Sequence, residues 1–262
     1  MRVGYKTDLP KAVDYIDRAG RQVPYATALA LTRTAAAIGE AITADIARVF
    51  DRPTPYTMSA VRVIRATKES LSARVDFKDA SGKGIPADRY LWPQVFGGER
   101  GLKRSEKALA RVGLPTGSYA IPAAGAEMDA YGNMSRGQIV RLLSYLQAFG
   151  EQGYRANSTA KSRARTAKVG TSQDGYRRIN GVVYFVSRGR GSMSGNRRQT
   201  LPAGVWAKTG THGADVTPVL IAARDVEYRP LLEFFETADR VANERFEAEY
   251  ATALDLALAT AR

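Results

Sequence analysis

The chain has no cysteine, one histidine and two tryptophans in 262 residues. Without cysteine there is no disulfide scaffold, no thiolate zinc site and no cysteine nucleophile. The lone imidazole, His212, excludes any site that needs two. No window approaches the ~20 consecutive apolar residues that span a bilayer, so no membrane partner is expected. The first twenty residues lack the apolar core of a secretory leader, so the chain is expected in the cytosol when made. Acidic residues are the other shortage: 26 Asp and Glu face 39 Lys and Arg, a formal net charge of +13. Such an excess calls for an acidic partner, a crowded assembly, or both.

What is present is unevenly spread. Residues 1–150 hold 22 basic and 14 acidic side chains, residues 151–200 hold 11 and 2, and residues 201–262 hold 6 and 10. The middle fifty residues are therefore +9, and the C-terminal third is −4. Apolar residues thin out over 150–178, so this stretch reads as a long loop, mobile or ordered by a partner.

The flanks read as helices. Leu31, Ala35, Ile38, Ile42, Ile46 and Val49 repeat at the helical period. Pro24 suits a first helical turn, and Pro53 and Pro55 end the run. This predicts one helix over 24–50 and a shorter one before it, over 9–19, ended by Gly20. A matching C-terminal stripe runs through Phe234, Val241, Phe246, Tyr250 and Leu254, with acidic residues on the opposite face. Residues 60–66 and 71–77 alternate as a β-hairpin, and strands are expected at 181–186, 204–208 and 217–222. A helix over 135–149 would be capped by Ser135, with Gln138 closing a capping box and Gly150 ending it. The predicted class is α+β, with long terminal helices packed on a small antiparallel sheet and a helical and basic-loop insertion. Four segments follow: 1–80, helices and hairpin; 81–150, helical insertion; 151–200, basic mobile or partner-ordered loop with a strand; 201–262, strands and the terminal helix that completes the core domain.

Chemical motifs are few. Ser158-Thr-Ala-Lys161, Ser194-Gly-Asn196 and Lys208-Thr-Gly210 imitate the order of elements in penicillin-recognising serine enzymes. Only 36 and 12 residues separate them, too few for the helical subdomain that assembles such a site, so a strand-end turn is expected at 209–211. His212 lacks ligand partners at metal-binding spacing and reads as a turn residue. Residues 189–195 have a phosphate-loop composition without its spacing. No catalysis, metal or cofactor is expected.

The positive signal is the basic segment. Arg155, Lys161, Arg163, Arg165, Lys168, Arg177, Arg178, Arg188, Arg190, Arg197 and Arg198 recur every few residues, with Tyr154, Tyr176 and Tyr184 among them. Cations neutralise phosphates and tyrosines stack on bases, so nucleic acid is one expected partner. An acidic groove of a neighbouring subunit is the other.

Two further stretches, Val23-Pro-Tyr-Ala-Thr-Ala-Leu-Ala-Leu-Thr-Arg-Thr-Ala35 and Val216-Thr-Pro-Val-Leu-Ile-Ala-Ala-Arg-Asp-Val-Glu-Tyr-Arg-Pro230, carry a resemblance. In order and texture they resemble the minor tail protein Z-like and tail completion proteins of tailed bacteriophages. Residues 114–144 also look like a block in phage structural proteins. The resemblance implies a virion part near the head–tail joint or tail end, ringed around the DNA conduit. Its implied partners are copies of itself, neighbouring neck or tail proteins, and lumenal DNA phosphates. Residues ~80–200 stand out as an insertion relative to that family.

Overall fold

The computed structural model describes residues 9–79, 85–189 and 200–260. In chain order the elements are α1 (Leu9–Val49), α2 (Pro55–Met58), β1 (Val61–Ile64), β2 (Arg74–Phe77), α3 (Asp88–Phe96), α4 (Arg104–Arg111), β3 (Tyr119–Pro122), α5 (Arg136–Tyr145), a 3-10 helix (Glu151–Ala156), α6 (Ala160–Ala167), β4 (Val169–Thr171), β5 (Arg177–Ser187), β6 (Gly204–Thr211), β7 (Asp215–Ala223) and α7 (Phe234–Thr260). The chain is α+β. It divides into two compact units: a discontinuous one, residues 1–97 with 229–262, and a continuous one, residues 98–228.

In the first unit α1 and α7 run antiparallel. Thr237 donates to Asp45 at 2.6 Å near one end, and Arg33 meets Glu249 at 3.5 Å further along. A seam of Ala26, Ala30, Ala253 and Ala257, all fully buried, closes the other end. Alanine there lets the two backbones approach closely. This seam sets the end of α7 beside Ala26, so about the first four turns of α1 run past it, with Val13 and Ile16 exposed. Gly20 and Pro24 lie inside one continuous 41-residue helix instead of separating two. Proline costs about 3 kcal/mol within a helix. Here the i−4 residue whose carbonyl it crowds is Gly20, and packing on α7 begins two residues later. Tertiary burial outweighs the local penalty.

The hairpin forms as expected, with Val61 opposite Phe77 and Ile64 opposite Arg74. It lies on α1 because Gly39 has no side chain: a Cβ there would sit 2.9 Å from Val63. Ile42, Ile46, Phe77, Leu91, Leu232 and Phe234 make the core of this unit. Phe77, Trp92 and Phe234 meet edge to face with centroids 4.8–5.3 Å apart, a geometry the aromatic quadrupole favours. Of the predicted α7 stripe, Phe234 and Val241 are buried, while Tyr250 and Leu254 are half-buried against the alanine seam. Phe246 is 37% exposed, which corrects its assignment to the core.

The second unit is built on a five-stranded antiparallel sheet of order β3-β7-β6-β5-β4. Leu109 and Leu114 near α4, and Leu142 and Leu143 on α5, pack on Val205, Val219 and Leu220 of the central strands. β6 and β7 therefore complete this unit, not the terminal-helix domain to which 201–262 was assigned. The 81–150 insertion is divided: α3 joins the first unit through Ala87 and Leu91, and residues 98–150 merge with the strands after them. Residues 150–178, expected to be a mobile or partner-ordered loop, form the 3-10 helix, α6, β4 and the start of β5, whose later residues include the strand expected at 181–186. Their order needs little apolar surface. Thr159 accepts the Ser162 N–H at 3.2 Å as an N-cap. Buried Ala167 packs where a Cβ on Gly181 would strike the Thr166 carbonyl.

Local signals around α5 also resolve differently. Ser135 holds the N-cap position without accepting a bond from the helix. Gln138 closes no capping box; it accepts the Glu127 N–H at 2.6 Å and donates to the Gly125 carbonyl at 2.9 Å. The helix ends at Tyr145, and Gln147 takes the left-handed position (φ 58°) in place of Gly150. No described helix is long and apolar enough to cross a membrane.

Gly98 and Tyr228, the ends of the second unit, exchange two backbone hydrogen bonds of 3.0 and 2.8 Å. Chain ends held side by side are the usual geometry of a domain that tolerates insertion into another. Residues 98–228 expressed separately should therefore fold, with a cooperative melt and protected strand amides. A chain showing neither would mean that this unit depends on the rest of the protein.

Candidate nucleic-acid and assembly interfaces

Counting charge by structural unit changes the picture drawn from segments. Residues 98–228 carry 20 basic and 9 acidic side chains, net +11; the remainder carries 19 and 17, net +2. Dividing at 151–200 hid this, because Arg104, Lys107, Arg111, Arg136 and Arg141 belong to the same folded unit as the basic segment.

The predicted cations fall into three groups. Lys161 and Arg165 stand one turn apart on α6, with Lys168 at its C-cap (φ 43°); all three are exposed. Arg177 and Arg178 open β5 and are exposed on opposite faces of the sheet, since successive strand residues alternate. Arg178 lies opposite Gly170 and Thr211, and the Arg177 carbonyl accepts the His212 N–H at 2.8 Å. Arg155 is exposed on the 3-10 helix and donates to the Tyr154 hydroxyl at 3.2 Å. Two more touch other parts of the unit, Arg163 through a hydrogen bond and exposed Arg188 by proximity. Arg163 is half-buried and donates to the Ser158 carbonyl at 2.9 Å. Arg188 lies against Gly113, where a Cβ would be 2.9 Å from its Nε. Arg190, Arg197 and Arg198 lie outside the described residues, as do Ser194 and Asn196.

The interleaved tyrosines differ among themselves. Tyr154 and Tyr176 are 60% and 56% exposed and present free ring surface beside arginines. Tyr184 does not: it is half-buried edge to face with Tyr145 at 5.4 Å, and burial raises its hydroxyl pKa. His212 occupies the β6–β7 turn (φ 55°), its ring 5.4 Å from Tyr176. The tips of the β4–β5 and β6–β7 hairpins thus put Tyr176, Arg177, Arg178 and His212 at one end of the sheet.

The acyl-transfer imitation comes apart. Ser158 Oγ is 3.0 Å from Ser144 Oγ, and no described basic side chain hydrogen-bonds to it. Lys208 sits over the Phe185 ring at 5.7 Å on β6. Residues 209–211 are the last of that strand, and the turn follows at 212–214. Among the described residues no three His, Asp or Glu side chains are grouped to hold a metal ion.

One polar cluster had no clear sequence signal. Glu106 of α4, 3% exposed, accepts two bonds from Arg100 (2.6 and 2.9 Å). It also accepts the backbone N–H groups of Lys103 (2.6 Å) and Ala120 (3.1 Å). Burial acts to raise its pKa. The Arg100 bonds, the two backbone donors and the Arg100 charge outweigh that and hold the carboxyl below its ordinary value of 4.5. Arg100 in turn donates to the Tyr228 hydroxyl at 3.1 Å and stacks over Tyr119 at 4.8 Å. The cluster ties α4 to edge strand β3 and to the end of the unit. Its only trace in sequence is a glutamate three residues into α4, a spacing that suits acceptance of the N-cap N–H.

Compared with family models, with curated proteins and with solved structures, the chain matches none.

Proposed function

We propose that the chain is a structural subunit of a tailed-bacteriophage particle. It would act at the head–tail neck or in tail completion, assembled as a ring around the DNA conduit, and would perform no catalysis. The observation that carries the reading is the division of labour between the units: a thin helix pair with uncovered apolar side chains, and an insert holding net +11. Val23, Phe246 and Leu256 are 37–43% exposed along the helix pair. Such a layer gains stability when a neighbouring copy covers it, and head-to-tail contacts repeated around an axis close into a ring. The likeness of residues 23–35 and 216–230 to tail completion proteins supplies the location. Host cytoplasm during assembly, and the virion afterwards, follow from that reading. Lumenal DNA is the acidic partner that the insert suits.

A second reading, a free non-sequence-specific nucleic-acid-binding protein, draws support from exposed Tyr154 and Tyr176 beside arginines. Two measurements separate the readings. Sedimentation and electron microscopy of the purified chain should show closed oligomers that survive dilution. In the second reading a monomer binds DNA, with log affinity falling against log salt at a slope near −0.9 per neutralised phosphate. A dilute monomer with a steep salt slope, absent from purified particles, overturns the structural reading.

A further inference from the structure

The α1–α7 pair has a third layer over only part of its length. At one end the hairpin and α3 cover it, through Ile42, Ile46, Phe77 and Leu91. At the other, the buried cluster consists of four alanines with Tyr25, Leu29, Tyr250 and Leu254, all from the two helices themselves. The outer face of α7 along this stretch carries Glu244, Glu247, Ala248, Ala251 and Asp255, every one exposed. These positions recur at steps of three and four, so they share one face, and the alanines between the acids let another helix approach closely. Arg240 lies 3.5 Å from Glu244, an exposed and loose pair. Across α7 as a whole, six acidic residues face two basic ones.

The chain itself carries the complement. α6 contains no acidic residue, and its exposed face holds Lys161, Arg165 and Lys168. Arg165 and Lys168 are three residues apart, the spacing of Glu244 and Glu247. We propose that the uncovered face of α7 docks on α6 of a second copy, with Glu244, Glu247 and Asp255 against Lys161, Arg165 and Lys168. Each copy offers an acidic α7 at one place and a basic α6 at another, so the contact is heterologous and repeats from copy to copy. Charge complementarity selects and orients the neighbour. Exposed pairs contribute little singly, and close helix packing over the small side chains of Ala248 and Ala251 supplies the rest. The contact rests on the self-assembly put forward above.

Its test uses charge reversal. One variant carries Glu244→Lys, Glu247→Lys and Asp255→Lys; the other carries Lys161→Glu, Arg165→Glu and Lys168→Glu. Circular dichroism confirms that each is folded; if a triple variant is not, Glu247→Lys and Arg165→Glu replace it. Each variant by itself now presents like charges and sediments as a monomer. An equimolar mixture restores both complementary contacts, with the two variants alternating, and sediments as an oligomer again. Variants that assemble like the unaltered chain, or a mixture that stays monomeric, overturn this contact while leaving a ring built through other surfaces intact. An unaltered chain that is monomeric at every concentration removes the ring reading and the contact together. If the α6 variant keeps its oligomeric mass but no longer retards duplex DNA in a mobility-shift assay, α6 is a phosphate surface and the self-docking is wrong.

Discussion

Glu106→Gln should destabilise the 98–228 unit by about 3–5 kcal/mol, the usual cost of removing one member of a buried ion pair. Glutamine fills the same space and can still accept a backbone N–H. Its amide NH2, however, turns donors toward the Arg100 guanidinium, whose side chain is only 12% exposed, and a buried charge is left without its counter-charge. In a unit of this size the loss lowers the melting midpoint by roughly 10–20 °C. Denaturant titration followed by circular dichroism measures it. Arg100→Gln should cost a comparable amount. The double variant should cost less than the sum of the two, because paired glutamines satisfy one another. Additive losses would mean that Arg100 and Glu106 stabilise the unit through separate contacts.

The same carboxylate sets an acid limit. Its folded pKa lies below the ordinary value of 4.5, so its contribution is complete above that value and disappears as pH falls through the folded pKa. Asp45 adds a second limit in the helix-pair unit. Burial acts to raise its pKa, but the Thr237 hydroxyl and Arg48 hold it below 3.8. Stability should be flat from neutrality down to about pH 4.5, then fall. In Glu106→Gln the fall attributable to the 98–228 unit should be absent.

What the sequence disclosed follows from which signals are local. The periods of α1 and α7, and the alternation of the hairpin and of β5–β7, depend on side chains a few residues apart. They were legible. Gly20 and Pro24 are local punctuation too, yet they misled, because packing of Ala26 and Ala30 on α7 is a long-range fact. The order of residues 150–178 escaped notice for a related reason: it comes from a cap at Thr159 and a glycine contact at Gly181, neither of which raises apolar content. Glu106 reads as a solvated helix residue in Arg104-Ser-Glu-Lys, and its partners lie 6 and 14 residues away along the chain. Of the candidate cations, those on α6 and at the start of β5 could be named from sequence. That Arg163 is half-buried and bonded to the Ser158 carbonyl could not, since exposure depends on the fold.

The second large effect is Phe77→Ala, expected to cost about 3–5 kcal/mol in the helix-pair unit. Phe77 is 0% exposed and meets both Trp92 and Phe234, so its removal opens a cavity where β2, α3 and the start of α7 converge. Phe246→Asp, by contrast, should shift stability by no more than about 0.5 kcal/mol, the usual range for surface changes. Phe246 escapes the core because the buried face of α7 does not stay in one line. None of residues 242–252 is buried, and burial resumes at Ala253, twelve residues after Val241, a rotation of about 120° at 3.6 residues per turn. The helix leaves the hairpin core at Val241 and continues against α1, with Phe246 at the transition, stacked on Tyr250 at 6.2 Å. Parallel thermal melts of the two variants decide it. A collapse in Phe246→Asp would restore the continuous apolar stripe. A normal melt accompanied by loss of oligomeric mass would place Phe246 in the contact between copies.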